Sequence, residues 1–152
     1  AVFRGTDATL VGWKEDFNMA FLPVIPSQAD AADYVTKLGE GFPGKLLLMG
    51  HSKGGNLAAY AGMFCDPEIQ KRIERVYPLD SPGFIGNTLE SEEYGRIQSR
   101  VHKVIPKGSL IGMLLENICG STVEQHLAGV DNQQAWKATK WALCSTTRSR
   151  GR

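Results

Sequence analysis

The sequence is short of cysteine, of long apolar runs and of excess charge of either sign. Its three cysteines, Cys65, Cys119 and Cys144, form no CxxC pair and are odd in number, so they indicate neither a zinc site nor a disulfide framework. The 17 Lys and Arg and the 16 Asp and Glu leave a net charge of +1, too balanced for a surface that binds nucleic acid or anionic membrane. No apolar run approaches the ~20 residues that cross a bilayer, and no signal peptide opens the chain. We therefore expect a cytoplasmic protein with no integral membrane segment and no nucleic-acid partner.

The chain is long enough, at 152 residues, to bury the core of one domain. Its 42% apolar and 22% charged residues are close to the average for globular proteins. We predict a single domain over residues 1–145 and a disordered tail over 146–152, whose arginines suit a frayed terminus better than a nucleic-acid arm. There is no initiator methionine, and Ala1-Val2-Phe3 reads as the end of a strand, so we expect N-terminal strands of the sheet to be missing.

Short apolar runs alternate with amphipathic stretches, a pattern typical of βαβ units and a mostly parallel sheet. The predicted strands are short and apolar, as in strands buried on both faces; they cover residues 1–3, 45–49, 75–79 and 101–105. Helices are predicted over 29–38, 56–64, 67–73, 91–99, 110–118 and 132–143, and a loop over 22–28. The pattern predicts an α/β fold.

The run Gly50-His51-Ser52-Lys53-Gly54 has the form GxSxG. A serine hydroxyl is a weak nucleophile, so the fold must present it at a tight turn where a base reaches Oγ and backbone N–H groups meet the oxyanion. Here the run follows a predicted strand and precedes a predicted helix, the setting in which GxSxG presents a nucleophile. The alternatives are a turn that only connects two elements or a phosphate-binding loop, but no GxGxxG or Walker pattern fits these residues. We predict Ser52 as the nucleophile of an α/β-hydrolase-like three-layer sandwich.

The general base must be one of three histidines. His51 adjoins Ser52 in the turn, where we expect its side chain to point away from Oγ. His102 lies within a predicted strand, where a histidine is usually a partnered structural side chain. His126 follows the last predicted strand in a loop-like stretch, where the chain order Ser, acid, His places the base. We predict His126, against the alternative of an ordinary exposed loop histidine.

The acid must lie between Ser52 and His126, at the carboxyl end of a strand, where it can accept from the imidazole Nδ1–H. Asp80 meets both conditions, because it ends the strand predicted over 75–79 and opens the turn Ser81-Pro82-Gly83. Glu116 and Asp131 are rivals, although the first falls in a predicted helix and the second suits a helix cap. The alternative for Asp80 is a carboxylate that only stabilises its turn.

Two backbone N–H groups are predicted to bind the oxyanion. One belongs to Lys53, directly after the nucleophile. The second should come from the end of an N-terminal strand. Thr6, which follows Arg4-Gly5 after the first predicted strand, is the natural candidate, and its hydroxyl is a candidate for a further donor.

Several motifs resemble those of a known family. Phe3-Arg4-Gly5-Thr6, with Trp13 and Asp16, and the run Gly50-His51-Ser52-Lys53-Gly54-Gly55-Asn56-Leu57-Ala58 resemble the class 3 lipases of the α/β-hydrolase superfamily. The runs Trp13-Lys14-Glu15-Asp16, Asp80-Ser81-Pro82-Gly83-Phe84 and Gln125-His126 resemble an uncharacterised bacterial branch related to those lipases. The resemblance spans most of the chain.

The resemblance implies roles for individual residues. It implies Ser52 as the nucleophile, His126 as the base, and Thr6 and Lys53 as oxyanion donors, although the lipases commonly have leucine at the position of Lys53. Those lipases place their acid after a later strand, and that stretch here, residues 105–109, contains no aspartate. Either Asp80 supplies the acid or the triad is incomplete, and we prefer the first.

The sequence thus predicts a lipase-like serine esterase that hydrolyses a small-molecule or lipid ester through an acyl-enzyme. No cofactor and no metal are expected. The alternatives are a non-catalytic binding domain that keeps the fold, and a thioesterase or peptidase.

Overall fold

A small parallel sheet forms the centre of the fold. The computed structural model describes residues 1–5, 18–19, 22–106, 109, 111–113 and 115. In these ranges strands β1 (Val2–Phe3), β2 (Leu46–His51) and β3 (Ile73–Leu79) pair in the order β1-β2-β3, all parallel. Parallel neighbours require crossover connections, and helices follow β1 and β2 in the chain. The predicted α/β class with a parallel sheet is confirmed.

The helices begin or end a few residues away from their predicted bounds. They are α1 (Pro26–Gly41), α2 (Lys53–Phe64), α3 (Pro67–Lys71) and α4 (Glu92–Ile97), the last continued by a 3-10 turn over Gln98–Arg100. The loop predicted over 22–28 is too long, because Pro26 already occupies the first turn of α1, where its fixed φ suits a helix. The helix predicted over 67–73 is too long as well, because Ile73 opens β3.

The structure describes a few residues of one further predicted helix and none of another predicted helix or of the predicted tail. Of residues 110–118, the structure describes only 111–113, a 3-10 turn, and residue 115. The predicted helix 132–143 and the predicted tail 146–152 lie outside the described residues. No helix in the described ranges is long and apolar enough to span a membrane.

The strand predicted over residues 101–105 forms two separate bridges to β3 instead of a continuous ladder. Val101 pairs with Val76, and Val104 pairs with Leu79. The His102 N–H donates to the Val76 carbonyl at 2.8 Å, and the Val104 N–H donates to the Pro78 carbonyl at 3.1 Å. The intervening ladder bond would need an N–H at Pro78, which proline lacks. The prediction of a full strand was therefore wrong because of one proline in its neighbour.

Helix α2 packs on one face of the sheet. Leu48 and Val76 are fully buried on this face, and a Cβ added to Gly62 of α2 would lie 3.1 Å from Val76 Cγ2 and 3.6 Å from Leu48 Cδ1. The small side chains of α2 let it approach the sheet this closely. The close packing at Gly62 fixes the position of α2 relative to the strands.

Candidate active site

Ser52 occupies a sharp turn between the last residue of β2 and the first residue of α2. Its backbone has φ 55° and ψ −126°, a conformation that costs a non-glycine residue about 1–3 kcal/mol. Hydrogen bonds hold it on both sides. The Ser52 N–H donates to the Leu79 carbonyl at 2.9 Å, and the Ser52 carbonyl accepts from the Gly55 N–H at 2.9 Å. The strand, turn and helix predicted around the serine are present in this order.

Glycines surround the serine because backbone segments pass close to one another there. A Cβ added to Gly50 would overlap the Gly54 carbonyl group. On Gly54 it would lie 2.7 Å from the Arg4 carbonyl carbon, and on Gly55 it would lie 2.7 Å from Ser81 Cβ. The glycines therefore allow the end of β1, the end of β2 and the start of α2 to meet at one point.

The structure describes one of the two residues that are predicted to donate to the oxyanion. Lys53 is the first residue of α2 and is buried. The N–H groups in the first turn of a helix point out along its axis and carry the positive end of its dipole, which suits an anion. Gly5 also lies at the turn, because a Cβ added to it would be 3.0 Å from the His51 carbonyl oxygen. Thr6, the next residue, lies outside the described residues.

Asp80 lies at the carboxyl end of β3, next to the serine turn. It is 4% exposed, and its N–H donates to the Val104 carbonyl at 2.7 Å. Its φ is 46°, so it shares with Ser52 a positive φ that non-glycine residues rarely adopt. Because Leu79 precedes Asp80, the hydrogen bond from the Ser52 N–H to the Leu79 carbonyl links the serine turn directly to the backbone beside Asp80.

The two carboxylate oxygens of Asp80 have different neighbours. Oδ1 accepts a hydrogen bond from Ser109 Oγ, which itself accepts from the Gly112 N–H at 3.1 Å. Oδ2 lies 3.9 Å from His51 Nε2, within ion-pair range but too far for a hydrogen bond. The sequence did not predict either contact. The only available signal for Ser109 was a serine in the stretch where an aspartate was expected.

The remaining candidates for base and acid are covered only in part by the described residues. His102 Nε2 lies 2.8 Å from Arg75 Nη1, and its ring centroid lies 5.7 Å from that of Tyr77, so it is a partnered side chain of the sheet, as predicted. His126 and its rival acids Glu116 and Asp131 lie outside the described residues. Within the described ranges, no group of three or more His, Cys, Asp or Glu side chains could hold a metal ion.

Buried amide side chains form a hydrogen-bond network next to the serine turn. Asn56, in the first part of α2, accepts from Gln28 Nε2 at 2.8 Å and donates from Nδ2 to the Gly83 carbonyl at 2.7 Å. Gln28 in turn accepts from the Ile25 N–H at 3.0 Å. These bonds link α1 and the loop after Asp80 to α2. These bonds were not predicted, although an asparagine among the small apolar residues of α2 is a signal for such a role.

Comparison with known families shows the family of the chain. The model of the Mbeg1-like family matches residues 1–146. The chain belongs to the Mbeg1-like family. The resemblance to class 3 lipases and to a bacterial branch of the α/β-hydrolases was therefore wrong as a family assignment, because the model that covers nearly the whole chain is of another family. No curated protein and no solved structure matches the chain.

The family assignment was wrong because a short motif reflects only the local geometry of the backbone. Gly50, Gly54 and Gly55 are required wherever a strand, a serine turn and a helix pass this closely. A motif of this kind therefore identifies a turn and leaves the family open.

The close approach at Gly54 gives a prediction about stability. Gly54→Ala should lower the free energy of unfolding by about 1–3 kcal/mol, because the new Cβ overlaps backbone atoms of Phe3 and Arg4 that cannot move aside easily. Gly95→Ala is the matched control: it is also a helical glycine, with nothing within 4 Å of an added Cβ, and it should be neutral or gain about 0.5–1 kcal/mol. Urea unfolding followed by circular dichroism measures both; equal stabilities would contradict the described approach of β1 to α2.

Proposed function

We propose that this chain is a serine hydrolase that cleaves carboxylic esters through an acyl-enzyme on Ser52. The observation that carries the proposal is the strained backbone of Ser52, with φ 55° and ψ −126°. A turn that only connects β2 to α2 would be more stable with glycine at this position. The chain has glycine at 50, 54 and 55 and serine at the strained position. Backbone strain of this kind is concentrated at functional sites.

The surroundings of Ser52 support nucleophilic chemistry. Ser52 Oγ attacks the ester carbonyl carbon while its proton passes to a histidine, and the tetrahedral oxyanion is bound by the N–H groups of Lys53 and Thr6. The alcohol leaves with the proton from the imidazolium. Water then loses a proton to the same histidine and attacks the acyl-enzyme. When the bond to Ser52 Oγ breaks, the imidazolium returns that proton to Oγ and the acid is released.

Asp80 is the proposed acid of the triad. It is buried beside the serine turn, and a hydrogen bond from Ser109 Oγ fixes one of its oxygens. A carboxylate in this position orients the imidazole and stabilises the imidazolium that forms when Ser52 loses its proton.

His126 is the proposed base. His51 is the alternative, and its short distance to Asp80 favours it. Of the two histidines among the described residues, His51 lies near Asp80, with Nε2 3.9 Å from Oδ2. In a working triad Nδ1 faces the acid and Nε2 faces the serine. His51 turns its Nε2 toward the acid, which leaves for the serine only Nδ1, the nitrogen nearer to its own backbone. This orientation favours His126.

The proposed substrate is a small-molecule or lipid ester, and the proposed location is the cytoplasm. Cys65 is a free, buried thiol, and burial raises its pKa to about 11, so it is nearly all protonated at neutral pH. A free thiol suits a reducing compartment. Thioesterase, peptidase and non-catalytic binding functions are alternatives that the following experiment separates.

Replacing the nucleophile tests the proposal. Wild-type protein should react with a fluorophosphonate probe and hydrolyse nitrophenyl esters faster than thioesters or peptides, and Ser52→Ala should do neither, because the attacking oxygen is gone. Ser99→Ala, at an exposed serine in the 3-10 turn, is the matched control and should behave as wild type. A folded wild-type protein that neither reacts with the probe nor turns over any of these substrates would show a binding domain instead.

Replacing the histidines one at a time identifies the base. His126→Ala should lower kcat about 10⁴-fold or more, since proton transfer from Ser52 is lost. His51→Ala should lose much less, and His102→Ala, which removes a contact with Arg75, should stay near wild type. Steady-state rates on a nitrophenyl ester give the comparison, after circular dichroism has shown that each variant is folded. If kcat falls strongly in His51→Ala and stays near the wild-type value in His126→Ala, the assignment of the base is reversed.

A further inference from the structure

Ser109 is a buried serine whose hydroxyl takes part in two hydrogen bonds. It is 1% exposed, and its Oγ donates to Asp80 Oδ1 and accepts from the Gly112 N–H at 3.1 Å. Its own N–H donates to the Pro106 carbonyl at 3.1 Å, which holds its backbone as well. A serine hydroxyl has one proton to donate, and here that proton is given to Asp80. The hydroxyl therefore has a defined direction, toward the carboxylate.

The segment that carries Ser109 also lies directly against the same carboxylate oxygen. A Cβ added to Gly112 would lie 2.9 Å from Asp80 Oδ1 and 2.8 Å from Ile105 Cγ2, so glycine at this position permits the close approach. Oδ1 is thus bound by the Ser109 hydroxyl and bordered by Gly112. Oδ2 lies 3.9 Å from Nε2 of His51, the last residue of β2. The two oxygens of Asp80 are therefore not equivalent, and Oδ2 is the one beside the serine turn.

We propose that Ser109 is a positioning residue that holds Asp80 Oδ1, so that Oδ2 is the oxygen that accepts the imidazole Nδ1–H in the reaction at Ser52. The inference rests on the proposed function and adds which oxygen of the acid meets the base. The terminal torsion of an aspartate is broad, so its carboxylate turns easily when nothing binds it. A hydrogen bond to one oxygen removes that freedom. The imidazole is then held at the angle from which it can take the proton of Ser52 Oγ.

Removing the hydroxyl tests the inference. Ser109→Ala should lower kcat on a nitrophenyl ester about tenfold, because the carboxylate loses its fixed orientation. KM should stay within about twofold of wild type, because Ser109 acts on the reaction only through Asp80 and the base. An unchanged kcat in folded Ser109→Ala would overturn the proposal.

Ser91→Ala is the matched control for the loss of a serine that caps a turn. Ser91 Oγ accepts from the Tyr94 N–H at 3.2 Å and donates to the Thr88 carbonyl at 2.8 Å, a similar pair of bonds at the start of α4. Its removal should lower the urea midpoint of unfolding, because a helix cap is lost, and should leave kcat unchanged. If Ser91→Ala and Ser109→Ala lower kcat equally, the effect at Ser109 is one of stability and the proposal fails.

A double-variant comparison shows whether Ser109 acts through Asp80. In Asp80→Ala the hydroxyl has no carboxylate to hold, so adding Ser109→Ala should change kcat by about twofold or less. The residual rate of Asp80→Ala can be measured, because a triad without one member still accelerates hydrolysis on the order of 10³-fold over water. A further tenfold loss in the double variant would mean that Ser109 acts by another route, and would overturn the proposal.

Ser109→Cys covers the case in which Ser109→Ala does not fold. A thiol is close in size to a hydroxyl but is a weak hydrogen-bond donor. Ser109→Cys should therefore show the same fall in kcat with little change in KM, and wild-type kcat in this variant would overturn the proposal.

The outcomes also separate this inference from the proposed function. If wild type hydrolyses esters and the folded Ser109 variants have the same kcat, Ser109 has no positioning role and only this inference fails. If folded wild type shows neither probe labelling nor hydrolysis, the proposed function fails, and the role of Ser109 in catalysis fails with it.

Discussion

The close approach of the first turn of α2 to the ends of β1 and β2 determines the rest of the described site. Gly50 and Gly54 leave no room between these backbones for a side chain. The chain can pass from strand to helix in so short a distance only if the residue between them adopts a positive φ, and that residue is Ser52. The positive φ at position 52 is therefore a consequence of packing, whereas the choice of serine there is not, and the packing of α2 near Leu48 and Val76 supplies stability that offsets the strain.

Two ionisable side chains, Asp80 and Lys103, are buried near the same end of the sheet. Asp80 follows β3 directly and has a second positive φ, and Lys103 is buried on the adjacent segment. Pro78 interrupts the ladder between these two segments, so Asp80 is held by the hydrogen bond of its N–H to Val104 and by the hydroxyl of Ser109. Stability and the proposed chemistry depend on the same few contacts, because each of them also fixes the rim on which Ser52 lies.

Local features of this site were predictable from the sequence, whereas contacts between distant segments were not. Spacing of glycines predicted the turn at Ser52, and the end of an apolar run predicted that Asp80 would lie at a strand end. The break at Pro78 depends on which strand lies beside it, and the contacts of Asp80 with Ser109 and His51 depend on how separate loops fold together. Lys103 was missed because its run was taken as apolar throughout. The family was misjudged because glycine spacing follows from geometry that unrelated chains can share.

The most direct test of the account is a crystal structure of the protein after reaction with a fluorophosphonate. The adduct resembles the tetrahedral intermediate, so its phosphorus should be bonded to Ser52 Oγ and its phosphoryl oxygen should lie about 2.7–3.1 Å from the Lys53 backbone nitrogen. Phosphorus bonded to another residue, or a phosphoryl oxygen directed away from the start of α2, would contradict the assignment of this turn as the catalytic centre.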